Sequence, residues 1–220
     1  VTTSQTGPST TAQHSLAGLR HAIISGRLRP GERVRQEEVA EQLGVSVAPV
    51  REALRVLEQE GQVVYRPRRG YFITELRAED LVEIYALRQM LEERAVRAAL
   101  PALDDDAIER IAAAARGCAE AARNADIATE LAANRQFHFG IMESRDQVHT
   151  LRLIRLLWDS TESYRALYYN SGEERAETVE AHDRILAAVR AREPDAVIAE
   201  LDAHRDRALR FLVEVLTGQQ

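Results

Sequence analysis

The chain has 220 residues, enough for two ordinary domains, and its 45% hydrophobic and 29% charged residues exclude a disordered polymer. No apolar run approaches the roughly 20 residues of a membrane-spanning helix, and a single cysteine, Cys118, excludes an intramolecular disulfide framework and fits a reducing cytoplasm. The net charge of −6 rules out a uniformly basic nucleic-acid binder but is unevenly spread, with ten arginines against eight glutamates up to Leu76 and 19 against 27 acids beyond it.

Residues 1–12 are rich in Ser and Thr and have neither the basic flank nor the apolar stretch of a signal peptide, so a disordered tail is expected over 1–13. Leu16, Leu19, Ala22, Ile23 and Ile24 recur at helical spacing and predict a helix over 15–27, ended by Gly26, Pro30 and Gly31. A second short helix fits 37–43, with Val39, Ala40 and Leu43 on one side and Gly44 as terminator. Ser46 is the expected N-cap of a third helix, 47–60, in which Pro49 falls in the first turn and Val50, Ala53, Leu54 and Leu57 form the buried stripe. Two β-rich runs, 62–66 and 71–74, flank Pro67-Arg68-Arg69-Gly70 and read as a hairpin with a basic tip.

Three helices followed by a hairpin is the order of a winged helix-turn-helix, whose second motif helix lies in the major groove of double-stranded DNA. Arg51 and Arg55 are one turn apart on that helix, and a guanidinium at Arg51 suits either a guanine edge or a phosphate. Arg68 and Arg69 are placed to reach the minor groove or its phosphates. The plainer alternative is that these arginines only solvate a small helical domain.

From Ala78 onward the pattern is helical throughout, over 78–100, 104–124, 126–143, 147–169, 173–191 and 194–217, with Pro101, Ser171-Gly172 and Glu193-Pro194 among the breaks. The fold class is therefore mainly α: a winged helix-turn-helix over 14–76 and an all-α antiparallel bundle of six helices over 78–217. Polar residues inside the apolar stripes carry the information here. Arg88 shares a face with Leu81, Ile84, Tyr85, Leu91 and Ala95; Asn134 and His138 lie with Leu131 and Ile141; His182 lies with Ile185, Leu186 and Val189; His204 lies with Val197, Leu201, Ala208 and Phe211. Three imidazoles and an amide from three helices can converge on one point, and neutral imidazole suits zinc and related metals. A lone histidine on such a face is more often a hydrogen-bonded core residue, but three together weaken that reading.

Two resemblances give these patterns a context. The phrases ISGRLRPGERV, EEVAEQLGVS, PVREALRVLEQEG and RPRRGYFI, over about 60 contiguous residues, closely resemble the N-terminal domain of the GntR family of transcription regulators. The resemblance implies a cytoplasmic homodimer on a short pseudo-palindromic operator, with Arg51 among the DNA-contacting residues and Gly70 at the wing tip. One position departs from it: the family usually has arginine where this chain has Val47, which can only pack on a thymine methyl, so an altered or weaker operator is expected. Glu37 is also acidic where some members carry a basic contact. The phrases DLVEIYALRQMLEERAVRAA, NRQFHFGIMES, EAHDRILAAV and HRDRAL resemble the FCD ligand domain of the FadR-like branch. In its metal-containing members an Asp and three His hold a divalent ion, zinc or nickel being expected here, and a small carboxylate often completes the shell. Carried over, these positions are Asn134, His138, His182 and His204, and the amide at Asn134 removes a negative charge and weakens metal affinity.

Arg88 would then face the cavity and take the effector's carboxylate; its alternative is a buried ion pair with Glu92. The expected function is a ligand-responsive regulator, a repressor, sensing a small organic acid at a metal site. A metal-free bundle that binds a larger acyl ligand or only dimerises is the alternative. A metal-dependent hydrolase is disfavoured, because the sequence has no glutamate beside the histidines, no H-E-x-x-H pattern and no nucleophile motif, so no enzyme is expected.

Overall fold

The computed structural model describes residues 11–218, and the chain divides into two units, the first ending at Glu75 and the second beginning at Leu76. In the first unit, helices α1 (Thr11–Ile24), α2 (Gln36–Leu43) and α3 (Val47–Gln59) precede the antiparallel strands β1 (Val63–Arg66) and β2 (Gly70–Ile73). α1 begins at Thr11 and stops at Ile24, so the expected tail is corrected over residues 11–13, which are helical; the rest of that tail lies outside the described residues. Leu19, Ile23, Val39, Val50, Leu54, Leu57, Val63 and Ile73 meet in one core, the three helical stripes and the inner faces of the strands. Gly44 ends α2 at φ 65°, a left-handed conformation that an L side chain resists, and its amide reaches back to the carbonyls of Ala40 and Glu41.

The second unit holds α4 (Ala78–Ala99), α5 (Asp105–Arg123), α6 (Ile127–Met142), α7 (Val148–Ser160), α8 (Glu162–Tyr169), α9 (Gly172–Ala191) and α10 (Pro194–Thr217). The expected six helices are thus seven, because the segment 147–169 is broken at Thr161 (φ −107°, ψ 6°). The Thr161 hydroxyl lies 3.3 Å from the carbonyls of both Leu157 and Trp158, and such side-chain bonding competes with the helix's own ladder. The guanidinium of Arg165 also donates to the Trp158 carbonyl at 3.1 Å, fixing the corner. At the start of the unit, the amide of Leu76 donates to the hydroxyl of Tyr164 on α8 at 2.7 Å.

Asp104 and Asp126 cap α5 and α6 by accepting from the amides of Ala107 and Thr129. These two helices pack tightly: a Cβ added at Gly140 of α6 would meet Ile111 of α5 at 2.9 Å. Phe137, Ile141, Ile154, Trp158, Ile185, Val189 and Val197 are nearly or wholly buried in the main core.

One buried group lies outside it. Glu130 on α6 is 0% exposed, and neither carboxylate oxygen has a hydrogen-bond partner among the described residues. Burial raises its pKa to about 7, only partly opposed by Arg175. Because the folded-state value lies above that of the unfolded chain, stability is greatest below about 4.5 and declines as pH rises towards 7. The stability of Glu130→Gln relative to wild type is accordingly expected to improve by about 2 kcal/mol between pH 5 and pH 8 in urea-unfolding curves. A difference that does not change with pH would mean that Glu130 ionises normally.

Candidate functional site

In the winged unit Ser46 occupies the N-cap of α3 in extended conformation, but its side chain makes no capping hydrogen bond, so the expected side-chain cap is corrected. Val47 is half-buried against the unit's core. Arg51 and Arg55 are exposed on α3, and Arg51 donates from Nε to Oε1 of Gln36 on α2 at 3.3 Å, which restrains an otherwise free side chain.

The hairpin turn is closed by the Arg69 amide donating to the Arg66 carbonyl at 2.9 Å, with Pro67 and Arg68 between them. Arg68 has φ 63°, a conformation that costs a non-glycine residue about 1 kcal/mol. The tip is therefore Pro67-Arg68, and Gly70 is corrected to the first residue of β2, paired with Arg66 at φ 91°. Arg66 and Arg69 lie over the Phe72 ring at 4.5 and 5.5 Å, so the wing presents three exposed guanidinium groups. Arg66 was not singled out by the sequence, although its alternation with Val64 on a short exposed strand is a usable signal.

In the helical unit, Asn134 and His138 come from α6, His182 from α9 and His204 from α10. The three imidazoles lie with ligand atoms within 4.8 Å of one another. Their ring centroids are 5.4 Å (His138–His182), 5.4 Å (His138–His204) and 5.5 Å (His182–His204) apart. His182 Nε2 is 3.1 Å from Asn134 Oδ1, and Phe137 stacks on its ring at 4.1 Å. Burial first, then the neighbouring imidazoles at His138 and His182 and the guanidinium groups of Arg88 and Arg205 at His138 and His204, hold His138 and His182 well below the ordinary imidazole range and His204 at about 4. All three stand neutral at pH 7 with lone pairs available. The Nδ1 atoms of His182 and His204 are buried without a hydrogen-bond partner among the described residues.

This donor set fits a divalent ion. Donors about 2.1 Å from a metal stand roughly 3–3.5 Å apart, so the observed spacing needs only a modest contraction. Asn134 supplies a neutral carbonyl oxygen where a carboxylate would bring charge.

A cavity of about 30 Å³ adjoins the cluster, bordered by His138 and His204, by Tyr85, Arg88 and Glu92 of α4, and by Arg165, Tyr168 and Tyr169 of α8. Arg88 does line this space, and it also makes the ion pair offered as the alternative, Nε to Glu92 Oε1 at 2.9 Å. Arg205 donates to the other oxygen at 2.7 Å, and the Trp158 indole to Oε1 at 2.7 Å. Burial opposes ionisation of Glu92, but Arg88 and Arg205 prevail and hold it at about 2. Trp158 is faced by Arg88 at 4.4 Å and by Arg165 at 4.3 Å. Sequence reasoning missed Arg165, Arg205 and Trp158. A signal existed for two of them: Leu151, Ile154 and Trp158 keep one helical stripe, and Leu201, Arg205 and Leu212 keep another with a charged intruder, whereas the break at Thr161 puts Arg165 on a separate helix.

A winged helix-turn-helix joined to a helical unit with a polar, histidine-lined interior defines a DNA-binding transcription regulator. Residues 83–207 match the FCD domain, and residues 11–73 match the bacterial regulatory proteins of the gntR family. The chain belongs to the GntR family of transcription regulators and carries an FCD domain. It is 32% identical to the HTH-type transcriptional regulator YdhC of Bacillus subtilis (strain 168), over 90% of this chain and 89% of that one. It is 31% identical to the probable D-xylose utilization operon transcriptional repressor of Paenarthrobacter nicotinovorans, over 83% and 80%. Among solved structures it resembles E. coli McbR/YncC with a TM-score of 0.80 and 25% identity, covering 93% of this chain and 98% of that one. These relatives and families are regulators and not enzymes, which sets the hydrolase reading aside. Among the described residues no helix is long and apolar enough to cross a membrane.

Proposed function

We propose that this chain is a homodimeric, operator-binding repressor whose helical unit holds a divalent metal ion, zinc or nickel, and responds to a small carboxylate effector. One observation carries the reading: three neutral imidazoles and an amide from three helices meet at a cavity bordered by arginines. His138, His182, His204 and Asn134 would hold the ion, which when bound supplies a Lewis-acid site for an effector oxygen. Arg88 orients the anion from the cavity wall while Glu92 and Trp158 fix its position. The small cavity, about 30 Å³, favours a short effector over an extended acyl chain. Repression, rather than activation, is supported by the P. nicotinovorans relative, which is named as a probable repressor.

The winged unit would contact DNA through Ser46, Val47, Arg51 and Arg55 at the start and outer face of α3, and through Arg68, Arg69 and Gly70 at the wing. Effector binding alters operator affinity only to the extent that it discriminates between the two states of the dimer. The test uses full-length protein and a duplex it selects from a random pool, read by fluorescence anisotropy with metal content measured in parallel. Copurified or stoichiometrically bound metal, and operator affinity that changes on adding small carboxylates, are the expected results; a metal-free protein indifferent to acids would overturn the reading. In the same assay Arg51→Ala is expected to weaken operator binding about 10- to 100-fold. A change below about twofold would remove Arg51 from the interface.

A further inference from the structure

Resting on that reading, we propose that the effector is a compact dianion, a short dicarboxylate, whose second carboxylate is received by Arg165, a residue belonging to none of the ligand positions inferred from the sequence.

Three guanidinium groups border the cavity. Two of them are already compensated: Arg88 and Arg205 share the carboxylate of Glu92, and Arg205 also pairs with Asp202. Arg165 differs from both. It is 6% exposed, its Nη2 is spent on the Trp158 carbonyl at 3.1 Å, and its Nε and Nη1 are buried with no hydrogen-bond partner among the described residues. Glu162, one turn earlier on α8, supplies a favourable field. A buried guanidinium with two nitrogens lacking acceptors is expensive, and proteins keep such groups satisfied unless something arrives to satisfy them.

Charge counting at the other end of the cavity points the same way. Imidazole binds a metal in its neutral form and Asn134 is an amide, so a divalent ion held by His138, His182, His204 and Asn134 keeps its full charge. A monocarboxylate on the ion leaves one positive charge there, and all of Arg165, unmatched. An acid with two carboxylates separated by a short chain answers both. The Trp158 ring, 4.3 Å from the Arg165 guanidinium and 5.1 Å from the His138 ring, spans the two ends and sets the short separation.

The experiment titrates zinc-loaded full-length protein with acetate, malonate and succinate by calorimetry, with zinc content measured before and after. At least one dicarboxylate is expected to bind about 10-fold or more tightly than acetate, and Arg165→Gln is expected to reduce it to the acetate level without changing zinc content or acetate affinity. If acetate and both dicarboxylates bind alike, or Arg165→Gln weakens all acids equally, the dianion inference fails and the metal-linked sensor stands. If the protein takes up no zinc and binds no acid, the underlying reading fails and the inference with it. Should Arg165→Gln not fold, the wild-type preference and its retention in Arg165→Lys, which keeps the charge, decide the question, and loss of the preference in a folded lysine variant overturns it.

Discussion

Glu92→Ala is expected to destabilise the helical unit by about 3–5 kcal/mol, read as a large fall in the midpoint of thermal or urea unfolding. The reason is the number of donors that depend on one carboxylate. Arg88 Nε at 2.9 Å, Arg205 Nη2 at 2.7 Å and the Trp158 indole at 2.7 Å all end on it, and Glu92 is 2% exposed. Removing it leaves two guanidinium groups facing each other's charge in a poorly solvated interior, which costs far more than the lost pair energy itself. Glu92→Gln keeps the acceptor for Trp158 but loses the charge and should fall between the two. The same carboxylate sets an acid limit: held at about 2 in the fold, it stabilises above about 4.5 and loses that contribution as pH falls between these values. An alanine variant within 1 kcal/mol of wild type would mean that water replaces the carboxylate without penalty.

His138→Ala is expected to lower metal affinity at least about 100-fold and to abolish the response to carboxylates, while the variant still binds operator DNA within about threefold of the effector-free protein. His138 has the most to lose of the three histidines, because its ring touches His182, His204 and the Trp158 indole at 5.1–5.4 Å. Elemental analysis and anisotropy on the same preparation separate the two effects. A variant that takes up metal and responds to acids as wild type does would take His138 out of the site.

The parts of the fold that were legible in the sequence are those in which one local signal decides. Gly44 after a short amphipathic stretch, Pro49 in a first turn and the hairpin around Pro67 each left a single structure compatible with their chemistry. The convergence of Asn134, His138, His182 and His204 was legible because each is a polar residue in an apolar stripe. The helix break at Thr161 was not, since threonine is tolerated in helices and only its hydroxyl, turned onto two carbonyls, reveals the competition. The pairing of Arg88 was legible as an alternative, because Glu92 is one turn away. The share taken by Arg205 was not, as it comes from a helix more than a hundred residues later and no spacing rule connects them. Arg68 stood out as a basic residue, whereas its positive φ follows from the closure of the turn by Arg66 and Arg69 and is invisible in composition.

The corner at Thr161 has a mechanical consequence. It makes α8 a two-turn piece, set off from the longer rod before it, that carries Arg165 at the cavity and, one residue earlier, the phenol of Tyr164 that holds the amide of Leu76. Leu76 directly follows the last residue of the winged unit. A tilt of this short piece would therefore draw the Tyr164 phenol against the connecting chain at Leu76, beside the Arg77–Asp80 pairing that ties that chain to α4.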